Sequence, residues 1–214
     1  MRMRKKKNLI PRMERCSAVS IPDGVAQKGH WKDLMPSATE LHLELGCGKG
    51  RFTVETALQN PQVLVIAVEK VADALVIAME RAMELNLSNV FFMVGDAALL
   101  PEYFAPGEVD RIYINFCDPW PSAGHAKRRL THRNFLALYR SVLRDDGCVE
   151  FKTDNAPLFA FSLPEFEAAG YRLSQVTDNL HGEGICGVMT DYETKFHAMG
   201  IPIHRCVGEK GGER

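Results

Sequence analysis

Leu41-His-Leu-Glu-Leu-Gly-Cys-Gly-Lys-Gly50 is the segment that decides the fold of this chain. A short alternating apolar run leads into three glycines at every second position, Gly46, Gly48 and Gly50. Glycine lets the backbone turn sharply and approach a ligand where a Cβ would clash. Residues 52–58 then show the apolar spacing of a helix. A strand, a glycine loop and a helix in this order predict a nucleotide-binding corner.

The acid just upstream of the glycines, Glu44, bears on which nucleotide would bind there. Dinucleotide-binding folds use the pattern G-x-G-x-x-G to receive a pyrophosphate at a helix N-terminus. The pattern here is E-x-G-x-G-x-G, and its carboxylate would repel a diphosphate. The same carboxylate suits a ligand with a cationic amino group, and S-adenosylmethionine is such a ligand. The motif therefore favours a methyltransferase, the alternative being a tight turn that binds nothing.

Composition indicates one domain of ordinary globular character. The chain has 214 residues and a formal net charge of −1, which is long enough for a substantial core. The first 15 residues contain seven Lys and Arg against one acid, which is typical of a solvated tail or of an arm for nucleic acid. No long apolar run follows, so we expect no signal peptide and no membrane association.

The six cysteines bear on the redox state of the thiols and on the cellular compartment. They form no C-x-x-C pair, and no histidine stands at zinc-ligand spacing. We therefore expect reduced thiols, no metal site and a cytoplasmic location. Nothing in the sequence requires an assembly, so a monomer is expected.

Strand and helix patterns alternate from residue 41 onward, which predicts a doubly wound, Rossmann-like α/β fold with a mainly parallel sheet. The predicted strands are 41–45, 63–68, 90–94, 111–116, 148–153 and 171–176, with a final run near 195–207. The predicted helices are 52–58, 71–86, 131–144 (ended by Gly147) and 156–169. The predicted organisation is a basic N-terminal arm at 1–40, one domain at 41–207 and a disordered tail at 208–214.

Four acids stand at the ends of predicted strands: Glu44, Glu69, Asp96 and Asp118. Ligands of such folds bind at the carboxyl ends of the strands. A helix cap could explain any one of these acids, but four together favour a ligand site. Glu69 stands where an acid takes ribose hydroxyls, and Asp96 is placed to accept from an adenine amino group.

The segment Asn115-Phe-Cys-Asp118-Pro-Trp-Pro121 is a second strong signal. Its prolines stiffen the backbone and would hold Asp118 in a defined direction. The Trp120 face could stack on a base, or the ring could plug the end of the sheet. Basic residues follow closely at Lys127, Arg128 and Arg129, which favours RNA contact over a merely solvated loop.

Two later polar groups complete the candidate site. Asp154 follows the fifth strand, and Thr190, Asp191, Tyr192 and Glu193 follow a glycine-rich loop. Carboxylates are natural acceptors for the N–H donors of a base such as guanine.

Together these motifs resemble the bacterial tRNA (guanine-N7-)-methyltransferase family, over about residues 28–205. The resemblance is carried by Glu44–Gly50, Asn115–Pro121, Lys127–Leu130, Phe151–Asn155 and Met189–Glu193. It implies a class I methyltransferase sheet with an antiparallel C-terminal strand, S-adenosylmethionine as cofactor, and a guanine in the variable loop of tRNA as substrate.

Residue by residue, the resemblance implies three groups of contacts. The cofactor would be bound by Glu44, Gly46, Gly48, Glu69, Asp96 and Asp118, of which Asp118 is also catalytic. The guanine would be bound by Asp154, Thr190, Asp191, Tyr192 and Glu193. The chain departs from the family at Ser122-Ala-Gly124, where the family commonly has a substrate-contacting lysine. Lys127 and the N-terminal arm are the candidates for that contact.

Three alternatives stay open at this point. A methyltransferase acting on an exocyclic amine of a base would use a similar proline-containing loop. A nicotinamide oxidoreductase would need its third glycine at another spacing. A non-catalytic RNA-binding protein on the same fold would have no use for four acids near RNA.

Overall fold

The computed structural model describes residues 6–211, so the predictions for residues 1–5 and 212–214 lie outside it. Within that range seven strands form one sheet in the order β3-β2-β1-β4-β5-β7-β6. The strands are β1 Glu40–Leu45, β2 Val63–Glu69, β3 Val90–Val94, β4 Val109–Asn115, β5 Leu143–Thr153, β6 Arg172–Thr177 and β7 His204–Glu209. The first five pair in parallel, and β7 is antiparallel to both β5 and β6.

Helices connect these strands and cover the sheet. They are α1 Leu9–Arg15, α2 Arg51–Gln59, α3 Ala72–Glu84, α4 Leu100–Tyr103, α5 Arg133–Val142, α6 Ala156–Ala168 and α7 Asp191–Ala198. Short 3-10 turns occupy Ser17–Val19, Trp31–Leu34, Ala97–Leu99 and Ala123–Arg128. In the part of the chain that the structure describes, no helix has the length and apolar character needed to cross a membrane.

The strand order creates a crevice between β1 and β4. The chain moves outward from β1 through β2 to β3, and then returns to place β4 on the other side of β1. Connections leave the neighbouring strands in opposite directions at this point, which opens a crevice at their carboxyl ends. The register brings Glu44 beside Tyr113, so the glycine loop after β1 and the loop after β4 both face this crevice.

The core explains why the first strands are continuous apolar runs. A parallel sheet covered on both faces buries side chains of both orientations, and every residue of β2 from Val63 to Val68 is buried. Leu41, Leu43 and Leu45 pack in one core cluster, while Val65 and Ala67 pack in the other.

Residues 6–40 pack closely on the domain. The indole of Trp31 is fully buried, stacks on Phe104 at 4.9 Å between ring centroids and donates to the Tyr103 carbonyl at 2.9 Å. At the other end, α1 packs on α3, and Arg12 binds Glu80 at 2.7 Å and 2.5 Å. The basic arm therefore uses at least one of its cations within the molecule.

The predicted end of the helix at 144 and the predicted start of the next strand at 148 were both wrong, because no turn separates the two elements. Gly147 does not end a helix: α5 ends at Val142, β5 begins at the next residue, and Gly147 lies inside that strand. The β4–β5 register shifts there, and a Cβ on Gly147 would lie 2.9 Å from the Asp110 carbonyl. The close approach of backbone, not a helix end, requires this glycine.

The C-terminal region also differs from the prediction. Residues 195–198 belong to α7, so the final strand begins only at His204. That strand continues to Glu209, where Gly208 pairs with Val149 and Leu173. Residues 208 and 209 are thus part of the sheet and not of the predicted disordered tail. The glycine is needed because a Cβ would lie 2.4 Å from the Phe166 ring.

Candidate active site

A cavity of about 1000 Å³ opens at the carboxyl ends of β1, β2 and β4. Its walls are the glycine loop, the loop that contains Asp118, and the first turn of α7. Most of the predicted site residues line it, namely Glu44, Gly46, Gly48, Glu69, Asp96, Asp118, Lys127, Arg128, Thr190, Asp191 and Tyr192. Arg129, Asp154 and Glu193 do not.

The glycine loop is shaped by left-handed backbone conformations that side chains rarely adopt. The φ angles are 78° at Gly46, 56° at Gly48 and 75° at Gly50. A Cβ at Gly50 would lie 2.3 Å from the Cβ of Ala78, so this glycine lets α2 and α3 approach each other. A Cβ at Gly46 or Gly48 would meet nothing within 4 Å, so these two face open space. The loop thus leaves bare backbone beside the cavity, as a close-fitting ligand requires.

Glu44 forms the acidic floor of the cavity. It is only 2% exposed and accepts hydrogen bonds from the Thr53 hydroxyl and, at 3.1 Å, from the Asn115 amide nitrogen. Burial raises the pKa of the Glu44 carboxyl, and the two hydrogen bonds oppose that shift. A cationic group bound nearby would restore the preference for the ionised form.

Asn115 was not singled out from the sequence, although it opens the motif that contains Asp118. Its amide nitrogen faces the acceptor Glu44, which turns the Oδ1 atom the other way. That oxygen is buried and has no hydrogen-bond partner among residues 6–211. A buried acceptor without a partner is costly, so a ligand with an N–H donor would satisfy it. Asn115 and Glu44 together fit an ammonium group.

Glu69 and Asp96 stand at the ends of β2 and β3. The Glu69 carboxylate accepts from the backbone N–H of Gly48 at 3.0 Å and of Val71 at 2.9 Å, so it braces the glycine loop. Each of its oxygens keeps a second acceptor position for a hydroxyl. Asp96 accepts from the Ala98 N–H at 3.0 Å and pairs with Lys70 at 2.8 Å. Partial burial opposes ionisation, but these hydrogen bonds outweigh it and lower the pKa of Asp96.

The Asp118 loop is held in a strained conformation. Phe116 and Trp120 both have positive φ, 52° and 42°, which is rare for bulky residues and clusters at functional sites. Arg129 stabilises this conformation by donating to the carbonyls of Pro119 and Trp120, each at 3.0 Å. The Asp118 side chain itself is exposed at the cavity wall.

Arg129 therefore needs a correction. The basic run predicted that it contacts RNA, but its guanidinium is bound to the loop carbonyls and lies 4.2 Å from the Phe161 ring centroid. Lys127 and Arg128, by contrast, are exposed and line the cavity, with Arg128 placed 5.0 Å over the Trp120 ring. The partly exposed Trp120 does not plug the sheet end.

The first turn of α7 carries the other aromatic face of the cavity. Tyr192 is 58% exposed and stacks on Phe116 at 6.5 Å and on Phe196 at 6.2 Å between centroids. Thr190 caps the helix by accepting from the Glu193 N–H at 2.9 Å, and Glu193 accepts in return from the Thr190 N–H at 3.1 Å. This is a capping box, a local arrangement that begins a helix.

Glu193 also needs a correction, because it is fully buried and faces away from the cavity. Its carboxylate pairs with Lys152 at 2.7 Å and with His181 at 2.9 Å. A carboxylate without exposed surface and with every partner inside the protein does not fit the predicted direct contact with a guanine. Asp154 is half-buried just after β5 and does not line the cavity.

The cavity mouth also contains cations that were not predicted from the sequence. Lys49, Arg81 and Lys195 line it together with Lys127 and Arg128. Lys195 lies about one helical turn after Asp191 and Tyr192, on the same helix. A prediction of α7 from the sequence would therefore have placed Lys195 beside these two residues. Arg81 lies on α3, far along the chain, and no sequence signal marks it. The site thus combines an acidic floor with a cationic mouth.

Comparison with known sequences agrees with this architecture. A family model described as "Putative methyltransferase" matches residues 38–206. A tRNA (guanine-N(7)-)-methyltransferase of Lachnoclostridium phytofermentans is 45% identical over 189 residues, covering 87% of this chain and 88% of that protein. A protein of the same name from Clostridioides difficile is 41% identical over 212 residues, covering 98% of this chain and 99% of its own.

Solved structures confirm the predicted fold class. The 16S rRNA methyltransferase KamB superposes with a TM-score of 0.67 at 17% identity, covering 85% of this chain and 92% of its own. A mutant of the 16S rRNA (adenine(1408)-N(1))-methyltransferase of Catenulisporales acidiphilia, with its cosubstrate SAM, gives 0.64 at 14% identity, covering 91% and 94%. At such identities the likeness shows the fold alone.

Proposed function

Because the chain belongs to the tRNA (guanine-N(7)-)-methyltransferase family, we propose that it transfers a methyl group from S-adenosylmethionine to N7 of a guanine in the variable loop of tRNA. The observation that carries this proposal is that the glycine loop, Asp118 and Tyr192 line one and the same cavity. It provides room for a nucleoside cofactor and a base side by side. The acids of the cavity suit the cationic cofactor, and its cations suit the phosphates of an RNA.

The cofactor fits the floor of the cavity by the chemistry of its donors and acceptors. The buried Asn115 oxygen and the Glu44 carboxylate would receive the ammonium group of the amino-acid end. The bare backbone at Gly46 and Gly48 would allow close approach, and Glu69 would accept from the ribose hydroxyls. Asp96 would accept from the adenine amino group. When bound, S-adenosylmethionine supplies an electrophilic methyl group on a sulfonium sulfur.

The protein's own contribution to the reaction is to position the base and stabilise charge. Guanine N7 has a lone pair at neutral pH, so no residue has to remove a proton to create the nucleophile. The methylated purine carries a positive charge that the substrate lacked. Asp118, fixed in the strained loop, stabilises that developing charge from the cavity wall. The acceleration otherwise comes from holding the two reactants in line.

The mouth of the cavity is suited to RNA. Tyr192, supported by Phe116, presents an exposed aromatic face on which a base can stack. Lys127 and Arg128 supply phosphate contacts in place of the lysine that the chain lacks at Ser122. Asp191, which lines the cavity, and Asp154, which follows β5, are the proposed acceptors for the guanine edge. Because tRNA is the proposed substrate, we propose that the enzyme acts in the cytoplasm, and that it acts as a monomer.

Methyl transfer from labelled S-adenosylmethionine to unmodified tRNA, followed by nucleoside analysis, tests the proposal. We expect the label in 7-methylguanosine. A tRNA transcript with adenine in place of each variable-loop guanine is the matched control and should accept no label. Label in an exocyclic-amine product would keep the chemistry but refute the N7 assignment. Absence of label in any nucleoside, with the cofactor bound, would refute the proposed activity on tRNA.

A further inference from the structure

The first turn of α7 is joined to the cofactor side of the cavity through two arginines that the proposed mechanism does not use. Arg81 comes from α3, and Arg51 is the first residue of α2, directly after the glycine loop. We infer that Arg81 is a positioning residue that couples the glycine loop to α7, so that cofactor binding orders the α7 wall of the substrate pocket. The inference rests on the proposed function for the identity of the two ligands.

Arg81 makes the most direct connection. Its Nη1 atom donates to the carbonyl of Lys49, inside the glycine loop, at 3.0 Å. The same nitrogen lies 3.1 Å from the Asp191 carboxylate, at the first position of α7. One guanidinium nitrogen thus touches both walls of the cavity, and all three residues line it. A shift of either wall changes a contact of the other.

Arg51 forms a parallel connection one turn further along α7. Its Nη1 donates to the Thr194 hydroxyl at 2.9 Å, while its Nε binds Glu55 at 2.8 Å. The Thr194 hydroxyl in turn donates to the Thr190 carbonyl at 3.1 Å. Arg51 therefore holds the same capping turn that Arg81 reaches through Asp191.

Residues 190–193 are connected to one another through the capping box and to the core through Glu193. The buried pair of Glu193 and Lys152 fixes one face, and the capping box fixes the other end of the same four residues. Tyr192 and Lys195 project from this turn into the cavity. Any ordering of the turn is thereby transmitted to an aromatic face and a cation that would contact the RNA.

Cofactor bound to the glycine loop fixes the Lys49 carbonyl and so removes part of the entropy that α7 would otherwise retain. A second ligand that needs an ordered α7 then binds more tightly, without any large structural change. The Arg81 and Asp191 side chains are 35% and 43% exposed, and exposed pairs are individually weak. The expected coupling is therefore about fivefold, at the lower end of the usual range for linked sites.

Hydrogen exchange of the α7 amides, with and without S-adenosylhomocysteine, tests the inference without RNA. In the wild-type protein, saturating ligand should slow exchange in residues 190–198 by about fivefold or more. In Arg81→Met the same ligand should slow it by less than about twofold. Arg172→Met is the control, since it removes another arginine–carboxylate pair, the exposed one with Glu209, and should behave as wild type. If Arg81→Met does not fold, Asp191→Ala removes the same bridge from its other end.

A second readout concerns the substrate. S-adenosylhomocysteine should tighten tRNA binding about fivefold in the wild type and leave it unchanged in Arg81→Met. Exchange in α7 that does not respond to the ligand in the wild type, or responds equally in Arg81→Met, would overturn the inference. Exchange coupling that depends on Arg81 in a protein that methylates no tRNA would support the inference and refute the proposed function alone.

Discussion

Replacing Glu193 by Gln separates two roles for this residue. The resemblance to the family assigns it to the substrate guanine, whereas the structure buries it completely against Lys152, which is itself only 2% exposed. The carboxylate lies 2.7 Å from the Lys152 ammonium and 2.9 Å from His181 Nε2. In Glu193→Gln the side chain keeps its shape and an amide oxygen that can accept, but the buried ammonium loses its counter-charge. Its other contacts, the Val188 carbonyl at 3.0 Å and the Phe52 ring at 4.8 Å, supply no full negative charge.

The magnitude follows from that burial. Removing one partner of a buried ion pair costs about 3–5 kcal/mol, because the remaining charge stays desolvated. Glutamine preserves some hydrogen bonding, so we expect a loss of about 3 kcal/mol in the free energy of unfolding. A domain is typically stable by only about 5–15 kcal/mol, so the variant should unfold at a clearly lower urea concentration. The exposed pair of Glu209 and Arg172 gives the control, since Glu209→Gln should lose less than about 1 kcal/mol.

Urea unfolding of a double-mutant cycle provides the assay. Lys152→Met in the Glu193→Gln background removes the unpaired buried charge. The double variant should therefore lose less unfolding free energy than the two single variants together, by about 2 kcal/mol or more. A loss below about 1 kcal/mol in Glu193→Gln, together with weakened binding of the substrate tRNA, would refute the structural role. It would return Glu193 to the substrate site.

Three further perturbations test other parts of the site. Asp118→Ala should lower turnover by about 10²–10³, the usual effect of removing one preorganised electrostatic group, while S-adenosylhomocysteine still binds; unchanged turnover would remove Asp118 from the mechanism. Replacing Lys127 and Arg128 together by Ala should weaken tRNA binding and reduce the slope of log affinity against log salt by about 2, and an unchanged slope would place the RNA surface elsewhere. Burial lowers the pKa of His42, so unfolded chains bind a proton at this histidine at higher pH than folded ones. The contribution of His42 to the free energy of unfolding is therefore complete above about pH 6.5, and it falls below that pH by at most about 1.4 kcal/mol per pH unit. In urea unfolding at several pH values, His42→Gln should flatten that slope.

The sequence predicted the part of the fold that depends on local patterns. The β-rich run ending in Glu69 and the glycine spacing after Glu44 each encode one structure through side-chain period and backbone sterics. Strand-end acids then predicted the cavity, because parallel strands bring their carboxyl ends to one edge. Helix α7 escaped prediction, although Thr190 and Glu193 have the spacing of a capping box.

What the sequence could not predict depends on long-range contacts. Lys152 and Glu193 each look like a motif residue facing a ligand, and only the packing of β5 against α7 pairs them inside the protein. Arg129 looks like part of a basic patch, but the strained loop before it uses its guanidinium. Asn115 becomes informative only when its amide nitrogen is seen to be taken by Glu44, which leaves the oxygen without a partner.

The capping box also explains why neighbouring residues of one short motif face opposite sides of the chain. In such a box the first and fourth residues, Thr190 and Glu193, must face each other, which leaves Asp191 and Tyr192 outward. Glu193 can then enter the core while Tyr192 enters the cavity, although they are adjacent in the chain. The direction of Tyr192 is set by the cap and by the Lys152 pair beneath it. A change at either buried residue should therefore disturb substrate stacking without any contact with the substrate, so loss of tRNA affinity alone does not identify a binding residue in this turn.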